Sequence, residues 1–253
     1  MDELTTALAV GGGVARLTLS RPGRANALTG AMVDGLLDRL AEAEAAGCRV
    51  LELRSDQPQF CAGFDLDPEQ ESTADLAWRF LRIGLLLERV RASPMLTVAV
   101  VTGAAVGAGA DLAAACDVRV GTDRASFAFP GSAFGVVLGT RRLAALVGES
   151  TAVRLASTGE RVDAERARAC GLLDVLCAPD SVTDAVASIS VAASRRDPAV
   201  LAALKSAAHP APVDPAALAD LARSLATRPT LREDLLRFRA QSRTTHTSRE
   251  EAS

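Results

Sequence analysis

The spacing of hydrophobic positions changes along the chain, from the alternation typical of strands to the three-and-four spacing typical of helices. In the first half it predicts strands at 15–19, 50–53 and 96–101, and helices at 30–46 and 75–91, the first of them capped by Thr29. A further helix is predicted from Gly109 to about Ala115. The segment 96–101 is continuously apolar, which is typical of a strand buried on both faces of a sheet. Glycines 11–13 predict a hairpin turn before the strand at 15–19, so the first half contains strand–helix units.

The second half becomes mostly helical from Arg141 onwards. Two short strands are predicted at 118–120 and 126–129. The predicted helices lie near 149–157, 163–169, 181–194, 198–207, 215–227 and 230–241. Prolines stand at the starts of the last of these predicted helices or between them. Together the two halves predict an α/β fold with a helical C-terminal part.

Composition narrows the class of protein. The chain has 253 residues, of which 49% are hydrophobic and 23% charged, and its net charge is −3, so a globular protein is expected. There is no basic field for nucleic acid, and the apolar run 96–110 is too short to span a bilayer. Five widely spaced cysteines give neither a disulfide framework nor metal-ligand spacing. We expect no nucleic acid, membrane or metal partner, and a cytoplasmic location.

Two turns of small residues each follow a predicted strand. The turn 102–109 has the strand–glycines–helix plan of a dinucleotide-binding loop. It lies about 100 residues into the chain, however, and the chain lacks the tyrosine that a short-chain dehydrogenase needs. The turn at 60–66 offers another interpretation, because it also follows a predicted strand and can pair with the turn at 102–109. Two such turns can aim two backbone N–H groups at one point, which is the arrangement of an oxyanion hole.

Several motifs follow one another in order between Val14 and Ala178. They are Arg21-Pro22, Asn26-Ala27-Leu28, the segment FCAGFDL at 60–66, GAAVGAG at 103–109, CDVR at 116–119, FAFP at 127–130, Arg142-Leu143 and Gly171-Leu172. This ordered set resembles the crotonase superfamily, the enoyl-CoA hydratase/isomerase family. The resemblance implies a crotonase-like ββα spiral core, placed at 1–195, and a helical C-terminal trimerisation region at 196–253. It also implies a homotrimer or a dimer of trimers, an acyl-CoA or enoyl-CoA thioester as substrate, and no other cofactor.

The resemblance also assigns roles to residues. The backbone N–H groups of Phe64 and Ala108 are expected to hold the thioester oxygen, although Ala108 stands where the family usually has glycine. The expected path of coenzyme A is formed by Arg24, Ala25, Ala27, Ala62, Gly63, Asp65, Leu66 and Gly107. For the N-terminal part of that path, a plain turn at the end of a strand is the alternative.

Asp111 is the candidate acid/base. Hydratases of this family carry a glutamate there, and the shorter aspartate withdraws the carboxylate by about 1.5 Å. The family's second glutamate corresponds to Gly131 in this chain, so the second carboxylate is missing. Loss of one of two carboxylates is expected to cost at least roughly 10²- to 10⁴-fold in hydration. The resemblance also implies that isomerases of the family rely mostly on the second carboxylate, so Gly131 counts against isomerisation as well. The alternative for Asp111 is structural, since an acid in the first turn of a helix interacts favourably with the helix dipole.

The short apolar segment 136–140 is expected to reshape the floor of the pocket.

The remaining charged and reactive residues are expected to be structural. We expect surface positions for Arg79, Arg82, Glu69, Glu71 and Glu88, packing roles for Cys61 and Cys116, and no catalytic role for His209 and His246.

Three functions therefore stay open. The first is an enzyme of the enoyl-CoA hydratase/isomerase type, a lyase or isomerase of fatty acid metabolism with Asp111 as its acid/base. The second is a non-catalytic acyl-CoA-binding protein of the same fold. The third is another reaction through an enolate, such as decarboxylation or thioester hydrolysis.

Overall fold

The computed structural model describes residues 5–66, 71–208 and 214–250, with side chains up to residue 241. Glu69 and His209 lie outside these residues, as does the side chain of His246. The described chain is a mixed α/β structure, so the predicted fold class is confirmed.

Strands form a large central sheet and a small second one. They are β1 (Thr6–Gly11), β2 (Val14–Leu19), β3 (Val50–Ser55), β4 (Leu96–Val101), β5 (Ala104–Val106), β6 (Val118–Gly121), β7 (Ser126–Ala128), β8 (Val162–Asp163) and β9 (Val175–Leu176). The central sheet has the order β1-β2-β3-β4-β6-β9, and β5-β7-β8 form the second sheet. Neighbours in the central sheet are parallel apart from the β1–β2 hairpin. Strands β3 and β4 lie inside this sheet, and for the continuously apolar β4 this agrees with the sequence prediction.

Helices cover the sheets and form most of the second half. They are α1 (Gly30–Ala45), α2 (Thr73–Ala92), α3 (Ala108–Ala115), α4 (Thr140–Val147), α5 (Glu149–Thr158), α6 (Ala164–Cys170), α7 (Val182–Ser194), α8 (Pro198–Ala208), α9 (Pro215–Ala226) and α10 (Leu231–Glu250). The Thr29 hydroxyl accepts a hydrogen bond from the Met32 N–H and so caps α1, as predicted. Ser72 and Asp75 form a capping box at the start of α2.

The connection from β4 to α3 differs from its prediction. The sequence predicted a glycine-rich turn followed by a helix from Gly109. In the structure β5 lies within that turn and pairs in parallel with β7, and α3 begins at Ala108. The chain reverses direction at Gly107, between β5 and α3. The φ of Gly107 is +53°, a backbone conformation that residues with side chains rarely adopt. The start of α3 therefore follows directly on a strand of the second sheet.

Glu88 is buried, and its predicted surface position is wrong. Only 2% of it is exposed. Its carboxylate forms an ion pair with the buried Arg142 of α4 and accepts a hydrogen bond of 2.8 Å from the Asp214 N–H at the start of α9. A buried carboxylate needs such partners because the protein interior solvates charge poorly. Glu88 therefore joins α2, α4 and α9.

The described residues contain neither a membrane span nor a metal-binding cluster. None of their helices combines the length and hydrophobicity needed to cross a bilayer. No cluster of three or more histidine, cysteine or acidic side chains among them is arranged to bind a metal ion.

Candidate active site

An apolar cavity of about 260 Å³ lies between the two glycine-rich turns, the 3₁₀ helix Pro130–Phe134, α5 and α10. Most of the side chains that line it are aliphatic or aromatic, and Asp111 is the one charged side chain among the described lining residues. Of the residues singled out in the sequence, the lining includes Ala62, Phe64, Leu66, Gly107, Ala108, Asp111 and Gly131.

The two glycine-rich turns touch backbone to backbone. Gly63 has φ +86°, and a Cβ there would lie 2.4 Å from the Val106 carbonyl oxygen and 3.1 Å from the Ala108 nitrogen. A Cβ at Gly109 would lie 2.3 Å from the Cys61 carbonyl oxygen. Glycine is required at both positions because any side chain would push the turns apart. This contact brings Phe64 and Ala108 to one cavity.

The backbone around Phe64 leaves its N–H group unused. The Leu28 N–H donates to the Gly63 carbonyl at 2.6 Å, and the Asp65 N–H donates to the Leu28 carbonyl at 3.2 Å. These two bonds form a bridge between Leu28 and Phe64 that does not involve the Phe64 N–H. No other described residue accepts a hydrogen bond from that N–H.

The N–H of Ala108 is also unused. Ala108 is the first residue of α3, where no carbonyl of the preceding helical turn is available. The Gly107 N–H donates to the Ala128 carbonyl at 2.8 Å, and the Asp111 N–H donates to the Gly107 carbonyl at 2.9 Å. Within the described chain the Ala108 N–H itself has no acceptor. Phe64 and Ala108 therefore line one cavity, and each has a backbone N–H without an acceptor in the described chain.

The Phe64 ring is clamped between two side chains of α2. It stacks on Phe80 with 3.9 Å between ring centroids, and the Arg79 guanidinium lies 3.8 Å from its centroid. Arg79 also donates to the Asp65 carbonyl at 2.8 Å and forms an ion pair with Glu71 at 3.1 Å. Arg79 is only 8% exposed, so its predicted surface position is wrong. It holds the peptide group between Asp65 and Leu66.

Asp111 lies on α3 with its carboxylate at the cavity. It is 7% exposed, and its carboxylate hydrogen-bonds to no described residue. A Cβ at Gly139 would lie 1.9 Å from its Oδ1 atom, so Gly139 is the residue that leaves room for the carboxylate. Burial raises the pKa of Asp111 to about 7, and the positive charge of Arg142 opposes part of that rise. Within the described chain the Asp111 carboxylate accepts no backbone hydrogen bond, so a structural role at the start of α3 would consist of its interaction with the helix dipole.

Gly131 sits beside the short segment that follows the 3₁₀ helix. The Val136 N–H donates to the Gly131 carbonyl at 2.9 Å. A Cβ at Gly131 would lie 2.8 Å from the Val136 carbonyl oxygen, which is closer than side chains normally approach. Residues 136–140 all line the cavity, in agreement with the expectation that this segment shapes the pocket. Besides lacking a carboxylate, the position lacks room for a side chain.

The residues of the predicted coenzyme A path fall into two groups, those that line the cavity and those that do not. Arg24 and Ala62 are exposed, and the Ala62 N–H donates to the carbonyl of Ala25 at 2.9 Å. Ala27 is buried, and Asp65 forms an ion pair with Arg21 at 2.8 Å. Arg24, Ala25, Ala27, Gly63 and Asp65 do not line the cavity; Ala62, Leu66 and Gly107 do.

Asn26 is a residue to which the sequence analysis gave no role. It is fully buried with φ +57°. Its side-chain oxygen accepts from the Arg21 N–H at 2.8 Å, and its amide donates to the Phe60 carbonyl at 3.1 Å. Asn26 therefore ties the segment 21–27 to the turn that carries Phe64. Its place in the Asn-Ala-Leu motif was the available signal.

The cysteines near the turns are packing residues, as expected. Cys61 and Cys116 are buried, and burial raises the pKa of each thiol to about 12. Such thiols are protonated at neutral pH and are poor nucleophiles.

The far wall of the cavity was not predicted. It includes Phe134, Val153 of α5 and Phe238 of α10. Phe134 and Phe238 meet edge to face, with 5.2 Å between ring centroids. The helical spacing of Leu231, Leu235 and Phe238 predicts a buried face of α10, but it does not say which surface that face covers.

Comparisons with known proteins agree with this architecture. Residues 9–230 match the family model described as enoyl-CoA hydratase/isomerase. A bovine (Bos taurus) protein, enoyl-CoA hydratase domain-containing protein 2, mitochondrial, is 36% identical over 168 residues, which are 64% of this chain and 57% of the relative. The matched segments of the first curated relatives cover 57% to 65% of their length.

Solved structures resemble almost the whole chain. One from Bordetella parapertussis, provisionally named an enoyl-CoA hydratase/isomerase, has a TM-score of 0.88 and 36% identity, covering 94% of this chain and 99% of that one. One from Thermobifida fusca, provisionally named an enoyl-CoA hydratase and solved in complex with acetoacetyl-CoA, has a TM-score of 0.74 and 29% identity, covering 88% and 93%.

Proposed function

This chain belongs to the enoyl-CoA hydratase/isomerase family, and we propose that it is an enzyme that stabilises the enolate of a coenzyme A thioester. The N–H groups of Phe64 and Ala108 bind the thioester oxygen, and Asp111 transfers the proton. The proposal rests chiefly on Asp111, an almost fully buried carboxylate that faces the same cavity as the two unused N–H groups. Similarity to a structure that contains acetoacetyl-CoA supports a thioester substrate.

The two N–H groups act on charge that develops during the reaction. When a proton leaves the carbon next to the thioester carbonyl, the electron pair of the broken C–H bond moves into the carbonyl group. The oxygen then carries negative charge, and backbone donors already held in place stabilise it without reorganisation. The clamp of Arg79 and Phe80 on the Phe64 ring supports this role because it restricts the movement of the Phe64 peptide.

Asp111 is suited to taking and returning that proton. A group whose pKa is about 7 is populated in both protonation states at neutral pH, which suits a general acid/base. With a 3-enoyl thioester, the carboxylate takes a proton from C2 and the double bond shifts towards the thioester. The protonated Asp111 then returns the proton at C4, giving the 2-enoyl isomer with no other reactant.

A single carboxylate favours this proton transfer over hydration. Hydration needs one group to activate water and another to protonate the α-carbon. Gly131 offers no side chain, and the Val136 carbonyl occupies the space that a side chain would need. The same observation supports a second candidate function, an acyl-CoA-binding protein that has lost catalysis.

The test is mass spectrometry of coenzyme A thioesters in D₂O. Saturated, 2-enoyl and 3-enoyl thioesters are incubated with the natural protein, with Asp111→Asn and with Asp38→Asn, a matched change at an exposed position of α1. We expect deuterium at C2 and conversion of 3-enoyl to 2-enoyl thioester, lost in Asp111→Asn and kept in Asp38→Asn. A gain of water would instead indicate hydration.

Other outcomes would replace the proposal. Thioesters that bind both the natural protein and Asp111→Asn but remain unchanged would indicate a binding protein. Release of free coenzyme A or loss of CO₂ would indicate thioester hydrolysis or decarboxylation. Exchange that persists in Asp111→Asn would remove Asp111 from the mechanism.

A further inference from the structure

We propose that the buried ion pair of Glu88 and Arg142 controls the protonation of Asp111, which makes both of them positioning residues for the proton transfer. This inference rests on the proposed function, because it takes Asp111 to be the group that moves the proton. It gives a part in the reaction to two side chains that do not line the substrate cavity.

The place of Arg142 beside Asp111 follows from the packing of α3 and α4. Gly139, which leaves room for the Asp111 carboxylate, lies directly before α4, and Arg142 is about one helical turn further on. On α3, Ala114 and Ala115 are three and four residues after Asp111, so they share its face of the helix. Both alanines line a second cavity, of about 330 Å³, together with Arg142. Arg142 therefore lies beside Asp111 but outside the substrate cavity.

The positive charge of Arg142 is only partly matched by hydrogen bonds. Its Nη2 donates to Glu88, whereas Nε and Nη1 are buried and have no hydrogen-bond partner within the described chain. Water does not reach these two atoms, so their charge is screened less than that of an exposed guanidinium. The Asp111 carboxylate is also buried. Opposite charges that are both buried interact more strongly than exposed ones.

Other charged groups near α3 are less well placed to act on Asp111. Those that line the second cavity are Arg91, Asp117, Arg119, Arg141 and Asp214. Arg119 is the buried one among them, and its guanidinium donates to the Cys116 carbonyl, beyond the end of α3. The others are at least partly exposed, so water screens them. Burial raises the pKa of Asp111 to about 7, and the charge that opposes part of this rise is that of Arg142.

Glu88 determines how much of the Arg142 charge acts on Asp111. Its carboxylate is 2% exposed, pairs with Arg142 and accepts a hydrogen bond from the Asp214 N–H at 2.8 Å. This negative charge cancels part of the field that the guanidinium exerts on Asp111. Without the charge of Glu88, Arg142 would favour ionised Asp111 more strongly. Without Arg142, burial would act unopposed. The pair therefore keeps Asp111 in the range where both protonation states serve an acid/base.

The experiment measures the pKa of Asp111 directly, so that it does not depend on turnover. Aspartate carboxyl carbons are labelled with carbon-13 and followed by NMR over the pH range in which the protein stays folded. The Asp111 signal is the one that is missing in Asp111→Asn. The variants are Arg142→Met and Glu88→Gln, which keeps a hydrogen-bond acceptor for the Asp214 N–H. Arg141→Met is the matched control, because it removes the neighbouring guanidinium of α4, which is exposed.

The two variants should move the pKa of Asp111 in opposite directions. Arg142→Met should raise it by about 1 or more, and Glu88→Gln should lower it by about 1. Arg142→Lys keeps the charge and should stay close to the natural protein, as should Arg141→Met. The pH at which deuterium exchange at C2 is half-maximal should shift in the same directions, because the ionised carboxylate takes the proton.

Three results would overturn the proposal. They are a pKa of Asp111 that is unchanged in both variants, one that moves in the same direction in both, and an equally large change in Arg141→Met. Lost packing alone would not produce shifts whose direction follows the charge removed. If Arg142→Met does not fold, Glu88→Gln and Arg142→Lys decide by the same criterion. If the pKa shifts as expected but the natural protein leaves every thioester unchanged, the proposed function fails and the link between the pair and Asp111 stands.

Discussion

At the scale of single residues, burial of charge divides the ionisable groups into two kinds. Arg79 and Glu88 are buried with hydrogen-bonding partners, so the protein replaces the water that they lose. Asp111 is equally buried, but no described side chain or N–H group replaces its water. A group left in this condition costs stability when ionised, and such costs are concentrated at functional sites.

Replacement of Asp111 by asparagine should therefore stabilise the protein in a pH-dependent way. The pKa of Asp111 is raised by burial to about 7, so the folded state binds a proton that the unfolded state releases near its ordinary pKa of about 4. Stability contributed by this group is present below about pH 4 and is lost as the pH rises to about 7. Asp111→Asn should raise the free energy of unfolding at pH 8 by roughly 2–4 kcal/mol and change it little near pH 4.

Urea unfolding at both pH values measures this difference. Asp38→Asn is the control, because its exposed side chain loses little water on folding and should show a much smaller change. An Asp111→Asn variant that is destabilised equally at pH 4 and pH 8 would mean that the carboxylate has a structural partner.

At the scale of elements, the 3₁₀ helix and residues 135–139 determine what chemistry the cavity allows. Gly135 adopts φ +74° and ends the 3₁₀ helix, and the chain then turns back so that Val136 bonds to Gly131. The segment reaches α4 only four residues later. A connection this short leaves little freedom to move away from Gly131.

A side chain at Gly131 should disturb this connection without restoring hydration. Gly131→Ala places a Cβ 2.8 Å from the Val136 carbonyl oxygen, and we expect a loss of about 1–3 kcal/mol in the free energy of unfolding. Gly131→Glu carries the same strain and should show no gain of water in the thioester assay.

The matched control is Gly30→Ala in the first turn of α1, where an added Cβ meets no atom within 4 Å. It should be neutral or stabilising by up to about 1 kcal/mol. A Gly131→Glu variant that is both stable and an efficient hydratase would show that the segment adapts readily.

Elements were predictable where local pattern and tertiary role coincide. β4 and α1 were found because a continuous apolar run and a threonine cap suffice to define them. α4 was not separated from its neighbours, because its buried face contains an arginine, Arg142, beside Leu143. β5 was missed because three small residues become a strand only by pairing with β7.

The candidate site was predictable only in part, for a similar reason. Motif resemblance pointed to Phe64, Ala108 and Asp111, which lie on or directly after two turns that the sequence marks with glycine. Val153 and Phe238 occupy ordinary apolar helix positions far along the chain, and only tertiary packing brings them to the cavity. Arg79 and Glu88 looked like solvent-facing charges because their partners come from other segments.

At the scale of the whole molecule, the Glu88–Arg142 pair joins parts that are distant in sequence. It connects α2 to α4, and Glu88 also accepts from the N–H that begins α9. Two further nitrogen atoms of Arg142, Nε and Nη1, have no hydrogen-bond partner within the described chain. The pair is therefore costly to bury and still more costly to break.

Loss of either member alone should destabilise the protein strongly. Glu88→Met leaves the buried Arg142 without its ion pair, and Arg142→Met leaves the buried Glu88 with only the more distant Arg91, at 4.0 Å, as its ion pair. We expect about 3–5 kcal/mol lost in Glu88→Met and somewhat less in Arg142→Met. The double variant should be more stable than either single one, because it removes both charges together.

A double-mutant cycle in urea gives the coupling between them. Single-variant losses that simply add in the double variant would show that the two side chains act independently. Arg39→Met, which removes an exposed ion pair with Glu42 on α1, is the control and should change stability by less than about 1 kcal/mol.

The contact between Phe134 and Phe238 has a consequence during protein synthesis. Phe134 is synthesised first, and about 100 further residues are translated before Phe238 is added. At roughly 5–20 residues per second, the nascent cavity wall waits about 5–20 s for its last aromatic side chain. During that interval the ribosome-bound chain presents an unfinished apolar surface, which is the kind of surface that chaperones protect from aggregation.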